Sequence, residues 1–306
     1  MLAFLERRVL LSLLTVLGVS VGVFAMIHLV PGDPVTVMLS EFASPADQQA
    51  LREELGLNQP LYVQYWRYLS SAIRGDLGRS VRSNRPVVAE IALRFPHTLR
   101  LALTALVIAV TIGGTVGVIS AVRRNTVFDH VAMVTVLAGL SIPSFWLGLM
   151  LIIVFALRLE WVPVAGYEGW QYLILPGLTL AAAPAAVLAR LTRSSMLEVL
   201  TQDFVRTAQA KGLHHTTVVL KHALKNSLIP VVTVLGLQLG YLLGGAVITE
   251  SVFAYPGVGR LVVDAILARD FPVVQGTVLA IALGFVFLNL LVDVLYVYLD
   301  PRVRFA

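Results

Sequence analysis

The side chains of this chain that could do chemistry are few, and they gather in residues 203–230, DFVRTAQAKGLHHTTVVLKHALKNSLIP. All three lysines, Lys211, Lys221 and Lys225, lie there, and Gly212 interrupts the stretch as a turn between two short helices would. His214, His215 and His222 raise the possibility of a metal. They have no cysteine partner and no suitably spaced carboxylate, and adjacent histidines point in different directions on a helix. A basic loop facing the cytosol is the simpler reading. Covalent chemistry finds little support: Ser141 and Ser144 flank Pro143 with no histidine in a nearby apolar block, the pattern of a proline-kinked helix whose serines bond their own backbone. No segment reads G-x-x-x-x-G-K followed by Ser or Thr, so the chain cannot itself be a P-loop ATPase.

The surroundings of that loop are built for lipid. Hydrophobic residues make up 58% of the chain and charged ones 13%, against about half and a quarter in soluble proteins, which implies several membrane spans rather than one soluble core. Apolar blocks fall at residues 9–30, 98–121, 131–156, 172–190, 228–250 and 274–299, each close to the roughly 20 residues that cross a hydrocarbon core. In lipid they must be helices, giving an all-α polytopic fold of six spans. The fourth block is the shortest and carries Pro176 and Pro184. Glycines 113, 114 and 117 in the second block and 236, 240, 244 and 245 in the fifth suit close helix contacts, including contacts with a second subunit. The apolar run after Arg7 and Arg8 is too long for a signal peptide and has no A-x-A site after it, so it reads as an uncleaved first span.

Net charge is +5, but the basic residues sit at block ends and report topology rather than nucleic-acid binding. With the N-terminus inside, cytosolic pieces hold Arg7, Arg8, Arg123, Arg124, Arg190, Arg193, Arg206, Lys211, Lys221, Lys225, Arg302 and Arg304. The short outer loops hold only Arg158, Arg260 and Arg269, so both termini are expected in the cytosol. The remaining outer segment, residues 31–97, is long enough to escape that rule, and its seven arginines are balanced by seven acids. It opens with the rigid turn Pro31-Gly32-Asp33-Pro34. Ser44-Pro45-Ala46-Asp47 reads as a helix start with Ser44 as N-cap. In residues 60–73 the spacing puts Tyr62, Tyr65, Trp66 and Leu69 on one face of a helix lying at the membrane interface; a docking or gating surface for an external partner is the alternative. An ion-coupled transporter would need ionisable groups within the spans. Asp293, about 9 Å from the cytosolic end of the last block, is the main candidate, with Glu250 and His28 near outer ends; a structural acid bonded to a neighbouring helix explains Asp293 as well.

At this point the loop resembles that of ABC importer permeases. Their general pattern is E-A-A, three residues, Gly, nine residues, I-x-L-P; aligned on Gly212, only Ala208, Gly212 and Leu224 match. The form D-Y/F-V-R-T-A-x-A-K-G, then H-A-L-K/R-N-x-L-I-P, is typical of the peptide and nickel importer branch. It reads nearly unbroken here from Asp203 to Gly212 and from His222 to Pro230. Also similar to that branch are Pro31 to Pro34, residues 55–61 (LGLNQPL), Gly75-Asp76-Leu77-Gly78, residues 250–261 (ESVFAYPGVGRL), 269–275 (RDFPVVQ) and 289–304 (NLLVDVLYVYLDPRVR). The long outer segment after the first span likens the chain to the first permease subunit of dipeptide, oligopeptide and glutathione importers.

The resemblance implies a division into residues 1–30 (cytosolic N-terminus and first span), 31–97 (extracytoplasmic segment) and 98–306 (the importer transmembrane domain), with a cytosolic coupling loop at 191–227. It implies pairing with a homologous second permease, two ABC ATPase subunits that carry the ATP and Mg, and an extracytoplasmic substrate-binding protein, in the inner membrane of a bacterium or archaeon. This chain would bind no cofactor and catalyse nothing itself. Asp203, Arg206, Thr207, Ala208, Ala210, Lys211, Gly212, Leu213, His222 and Asn226 would form the ATPase-coupling surface. The expected cargo is a dipeptide or short peptide, with glutathione or a nickel chelate as alternatives.

Overall fold

Backbone groups in hydrocarbon can bond only within their own segment or to a neighbouring element, and among the described residues every regular element is helical. A computed structural model describes residues 2–29, 35, 44–54 and 56–299. The turn from Pro31 to Pro34, Leu55, the stretch after Leu299 and the side chain of Asp293 lie outside the described residues. Among the described residues five helices are long and apolar enough to cross a bilayer, and a sixth span arises if one bent pair counts as a single crossing.

In order, the helices are α1 (Leu2–Leu29), α2 (Pro45–Glu54), α3 (Leu61–Ile73), α4 (Val87–Val122), α5 (Val127–Ser141) and α6 (Ser144–Arg158). They continue with α7 (Ile174–Leu200, entered by a 3-10 turn at Trp170–Leu173), α8 (Asp203–Ala210), α9 (His215–Val252), α10 (Val258–Leu267) and α11 (Phe271–Leu299). They fall into two units, Met1–Thr98 with Pro256–Ala306, and Leu99–Tyr255.

In the first unit α1 packs along α11, and the Gln275 amide donates to the Val23 carbonyl at 3.0 Å. The Ser44 start is a reciprocal capping box: the Asp47 N–H donates to Ser44 Oγ and the Ser44 N–H to the Asp47 carboxylate, each at 3.2 Å. Val87 and Ile91 at the start of α4 are buried with Leu261, Ala265, Val273 and Val274. That packing explains why α4 begins at Val87, inside the stretch read as outer segment, although Glu90 and Arg94 lower its apolarity; the two pair with each other across one turn. Asp270, 4% exposed, accepts from the Ser80 hydroxyl and the Val81 N–H, while Arg82 Nε donates to the Ala268 carbonyl at 2.8 Å. These bonds pin the 79–86 turn to the connection before α11.

This turn supplies a topology test. Asn84 itself has φ +55°, which asparagine tolerates and most residues do not, so the exposed neighbour Ser83 is the better probe position. The chain has no cysteine, and a Ser83→Cys variant in sealed cells should react with an impermeant maleimide from the outside only. Labelling from the cytosolic side would overturn the orientation read from Lys and Arg.

The second unit is organised on α7, against which α5, α6 and α9 pack. Gly113 and Gly117 of α4 lie on the same helix: a Cβ at Gly113 would come within 2.5 Å of the Ala185 carbonyl, and one at Gly117 within 2.6 Å of Thr192 Cβ. Any larger residue there would push two spans apart. The Arg193 guanidinium donates both Nε and Nη2 to the Asp129 carboxylate at 2.7 Å. Asp129 is 1% exposed and also accepts from the Asn125 N–H, so a buried charge at the start of α5 is fully paired.

The third apolar block is not one straight helix. α5 and α6 meet at 110°, with Ile142 extended (φ −83°, ψ 125°) ahead of Pro143. A proline ring disfavours helical backbone in the preceding residue and has no N–H to continue the ladder, so the break falls where the sequence places Pro143. The fourth and fifth spans run on past their apolar blocks, to Leu200 and back to His215. The aromatic row expected on one face of α3 splits: Tyr62 and Trp66 are 75% and 70% exposed, whereas Tyr65 bonds Ser20 of α1.

Candidate functional site

The loop between the fourth and fifth spans is compact. Two residues, Thr201 and Gln202, separate α7 from α8, and Lys211 to His214 separate α8 from α9. α8 is short because the sequence ends it: the Gly212 N–H donates to the Gln209 carbonyl at 2.9 Å and the Leu213 N–H to the Ala208 carbonyl at 3.4 Å. That pair of bonds is a Schellman closure, which needs a left-handed residue, and Gly212 supplies φ +76°. Asp203 opens the helix, where a negative charge meets the positive end of the helix dipole.

Only one side of α8 is fixed. Val205 (1% exposed) and Ala208 (7%), three residues apart and therefore on one face, are buried with Met196 and Val199 of α7 and Val218, Val219 and Ala223 of α9. Ala121 at the end of α4 completes the cluster. The α9 part of this contact is π-helical from Val218 to Ala223. The i→i+5 winding stacks Ala223 over Val218, which keeps Val218, Val219 and Ala223 together on the face that meets α8. The second helix of the loop is thus not short, as the glycine break suggested, but the start of the fifth span itself.

The expected site residues divide accordingly. Asp203, Arg206, Thr207, Ala210, Lys211, Gly212 and Leu213 are exposed on α8 and its closing turn. The Thr207 hydroxyl donates to the Asp203 carbonyl at 2.9 Å, and the Arg206–Asp203 pair at 3.6 Å is so exposed that it adds little stability. Ala208 is an anchor rather than a contact residue. His222 and Asn226 lie apart on α9, joined to each other by the Asn226 amide donating to the His222 carbonyl at 2.8 Å. His214 accepts weakly from the Thr216 N–H at the start of α9. Among the described residues no cluster of three or more His, Asp or Glu is positioned to hold a metal.

The residues not anticipated are the anchor, Val205, and two large apolar side chains, Phe204 and Leu220, left on the surface at 39% and 53% exposure beside the expected Leu213 at 40%. The i, i+3 spacing of Val205 and Ala208 was the available signal for the anchor. Exposed apolar residues beside Arg206, Lys211, Lys221 and Lys225 make a surface suited to a protein partner with apolar and acidic groups.

A second convergence of polar groups lies in the first unit, around a cavity of about 580 Å³ lined by His28, Gln64, Tyr68, Asp76 and Gln275. Burial, with Tyr65 beside it, pushes the Tyr68 phenol up to about 12.

Comparison with known proteins bears on both regions. Residues 113–305 match the family described as binding-protein-dependent transport system inner membrane component, and residues 1–102 match its N-terminal counterpart. The glutathione transport system permease protein GsiC of Escherichia coli strain K12 is 48% identical over 305 residues, covering 100% of both chains. The proteins of the same name from Escherichia coli O6:H1 and Shigella dysenteriae serotype 1 are similar to the same extent.

Proposed function

The chain belongs to the family of binding-protein-dependent transport inner-membrane components, the permease subunits of ABC importers, and from that premise we propose that α8 is the element through which partner ATPases drive it. The observation that carries this reading is the one-sided anchoring of α8. Its buried face is locked to the loop-side ends of two spanning helices, and its other face carries exposed apolar and basic side chains.

The mechanism follows from that geometry. A nucleotide-driven partner that displaces α8 moves Val205 and Ala208, and a core packed near crystal density passes the displacement to α7 and α9 rather than absorbing it. The left-handed turn at Gly212 keeps α8 a separate rigid rod instead of a frayed extension of α9. Both termini and this loop are cytosolic in the proposed orientation, and ATP and Mg are held by two partner ATPases. A homologous second permease supplies the other half of the pathway, and an extracytoplasmic binding protein delivers cargo to the outer segment. The chain itself performs no chemistry.

The cargo is a short peptide. The names of the full-length relatives favour glutathione over ordinary dipeptides, with a nickel chelate behind both. Uptake by the reconstituted complex with its own binding protein tests this. Labelled glutathione should enter with ATP and be displaced by excess unlabelled glutathione but not by excess dialanine. Uptake of dialanine that glutathione fails to compete would reverse the assignment.

A further inference from the structure

The helix α3 carries a single charged residue, Arg67, in thirteen, yet Tyr62, Trp66 and Ile73 are 75%, 70% and 78% exposed. At about 100° per residue these three fall within roughly 40° of one another, so they form one bare apolar face. The opposite side and one flank are taken. Tyr65 shares a hydrogen bond with Ser20 at 2.8 Å and stands edge-on to Phe24, and Gln64 bonds His28 at 3.1 Å.

The row on α1 that α3 covers shows what lies beyond. Leu10, Leu13, Leu17, Ser20, Phe24 and His28 succeed one another at three- and four-residue steps, the spacing of a single helix face. In the lower half of this row Leu10, Leu13 and Leu17 are 59%, 61% and 51% exposed, as side chains turned to lipid would be. Its upper half is covered by α3. The helix therefore continues, toward the other end of α1, a face that is exposed below it. Its depth follows from the Gln275–Val23 bond, because Gln275 lies one turn into α11 and so near the outer boundary of two spans. Ser20 is about one turn deeper than Val23 and His28 somewhat more than one turn shallower, so α3 straddles that boundary.

We propose that α3 is embedded in the outer membrane interface, with Tyr62, Trp66 and Ile73 in contact with lipid. Tyr and Trp are the side chains that prefer this zone, with rings among acyl chains and polar atoms at headgroup level. The helix then anchors the outer segment to the bilayer beside the first span.

The absence of native cysteine allows a direct test in the assembled complex in lipid vesicles. Single variants Tyr62→Cys, Trp66→Cys and Ile73→Cys are spin-labelled, with Leu14→Cys as lipid reference and Ser83→Cys as aqueous reference. Labels at the three positions should be relaxed by oxygen more than by a water-soluble nickel chelate, as at Leu14. Preferential relaxation by the nickel chelate, as at Ser83, would show a face open to water and overturn the proposal. Shielding from both agents would overturn it in favour of a protein partner, and three independent positions guard against one defective variant.

Discussion

Gly212→Val is expected to lower uptake by the assembled importer by about tenfold or more while membrane insertion remains unchanged. The cause is backbone rather than bulk. No atom lies within 4 Å of where a Cβ at Gly212 would stand, so there is nothing for a side chain to strike. The conformation is the obstacle: φ is +76°, and a β-branched residue there is strained by about 1–3 kcal/mol, where 1.4 kcal/mol is tenfold in a population. To relieve that strain the Schellman closure must open, the last turn of α8 loses its bonds from Gly212 and Leu213, and Leu213 swings away from its place beside the basic residues. ATP hydrolysis by the partners should then continue with less uptake per ATP. Gly212→Asn should retain most activity, because asparagine tolerates the left-handed region. If Gly212→Val transports and couples as well as the unaltered chain, the turn only ends a solvated helix and the lever assignment is wrong.

Much of this is legible in the sequence. Lipid demands apolar length, so the six blocks are visible as composition alone, the Gly212 turn is visible because it rests on one residue's backbone freedom, and the Ser44 cap because it rests on two side chains three residues apart. The limits of the helices are not. α7 continues to Leu200 and α9 starts at His215 because these extensions are held by one buried face each, Met196 and Val199 on one and Val218, Val219 and Ala223 on the other. Their polar residues on the remaining faces hide them from a hydropathy reading. The α8 anchor stayed hidden for a related reason, since Val205 and Ala208 are small beside Phe204, the largest apolar residue of the octet, which stays on the surface. Pro143 announced a kink, but its 110° size depends on what α6 packs against, which here is α7. The aromatic row of α3 was misread because helical spacing places Tyr65 close enough to both faces for α1 to claim it through Ser20 and Phe24.

The second large effect concerns energy. Transport by the complex is expected to stop entirely when ATP is removed, because this chain has no phosphate-binding loop and, as proposed, is driven only through α8. The rival reading, an ion-coupled carrier, places a proton on Asp293 in the last span. Under that reading Asp293→Asn abolishes uptake. Under the ATP-driven one asparagine retains the shape and most of the bonding capacity of the aspartate, and the loss is a modest one, of the order of 1 kcal/mol in stability.

The direct measurement is uptake of labelled glutathione into proteoliposomes that hold the complete importer, with ATP and a proton gradient supplied separately. The account predicts uptake with ATP present and the gradient collapsed, and none with an imposed gradient in the absence of ATP. Uptake driven by the gradient alone would contradict it.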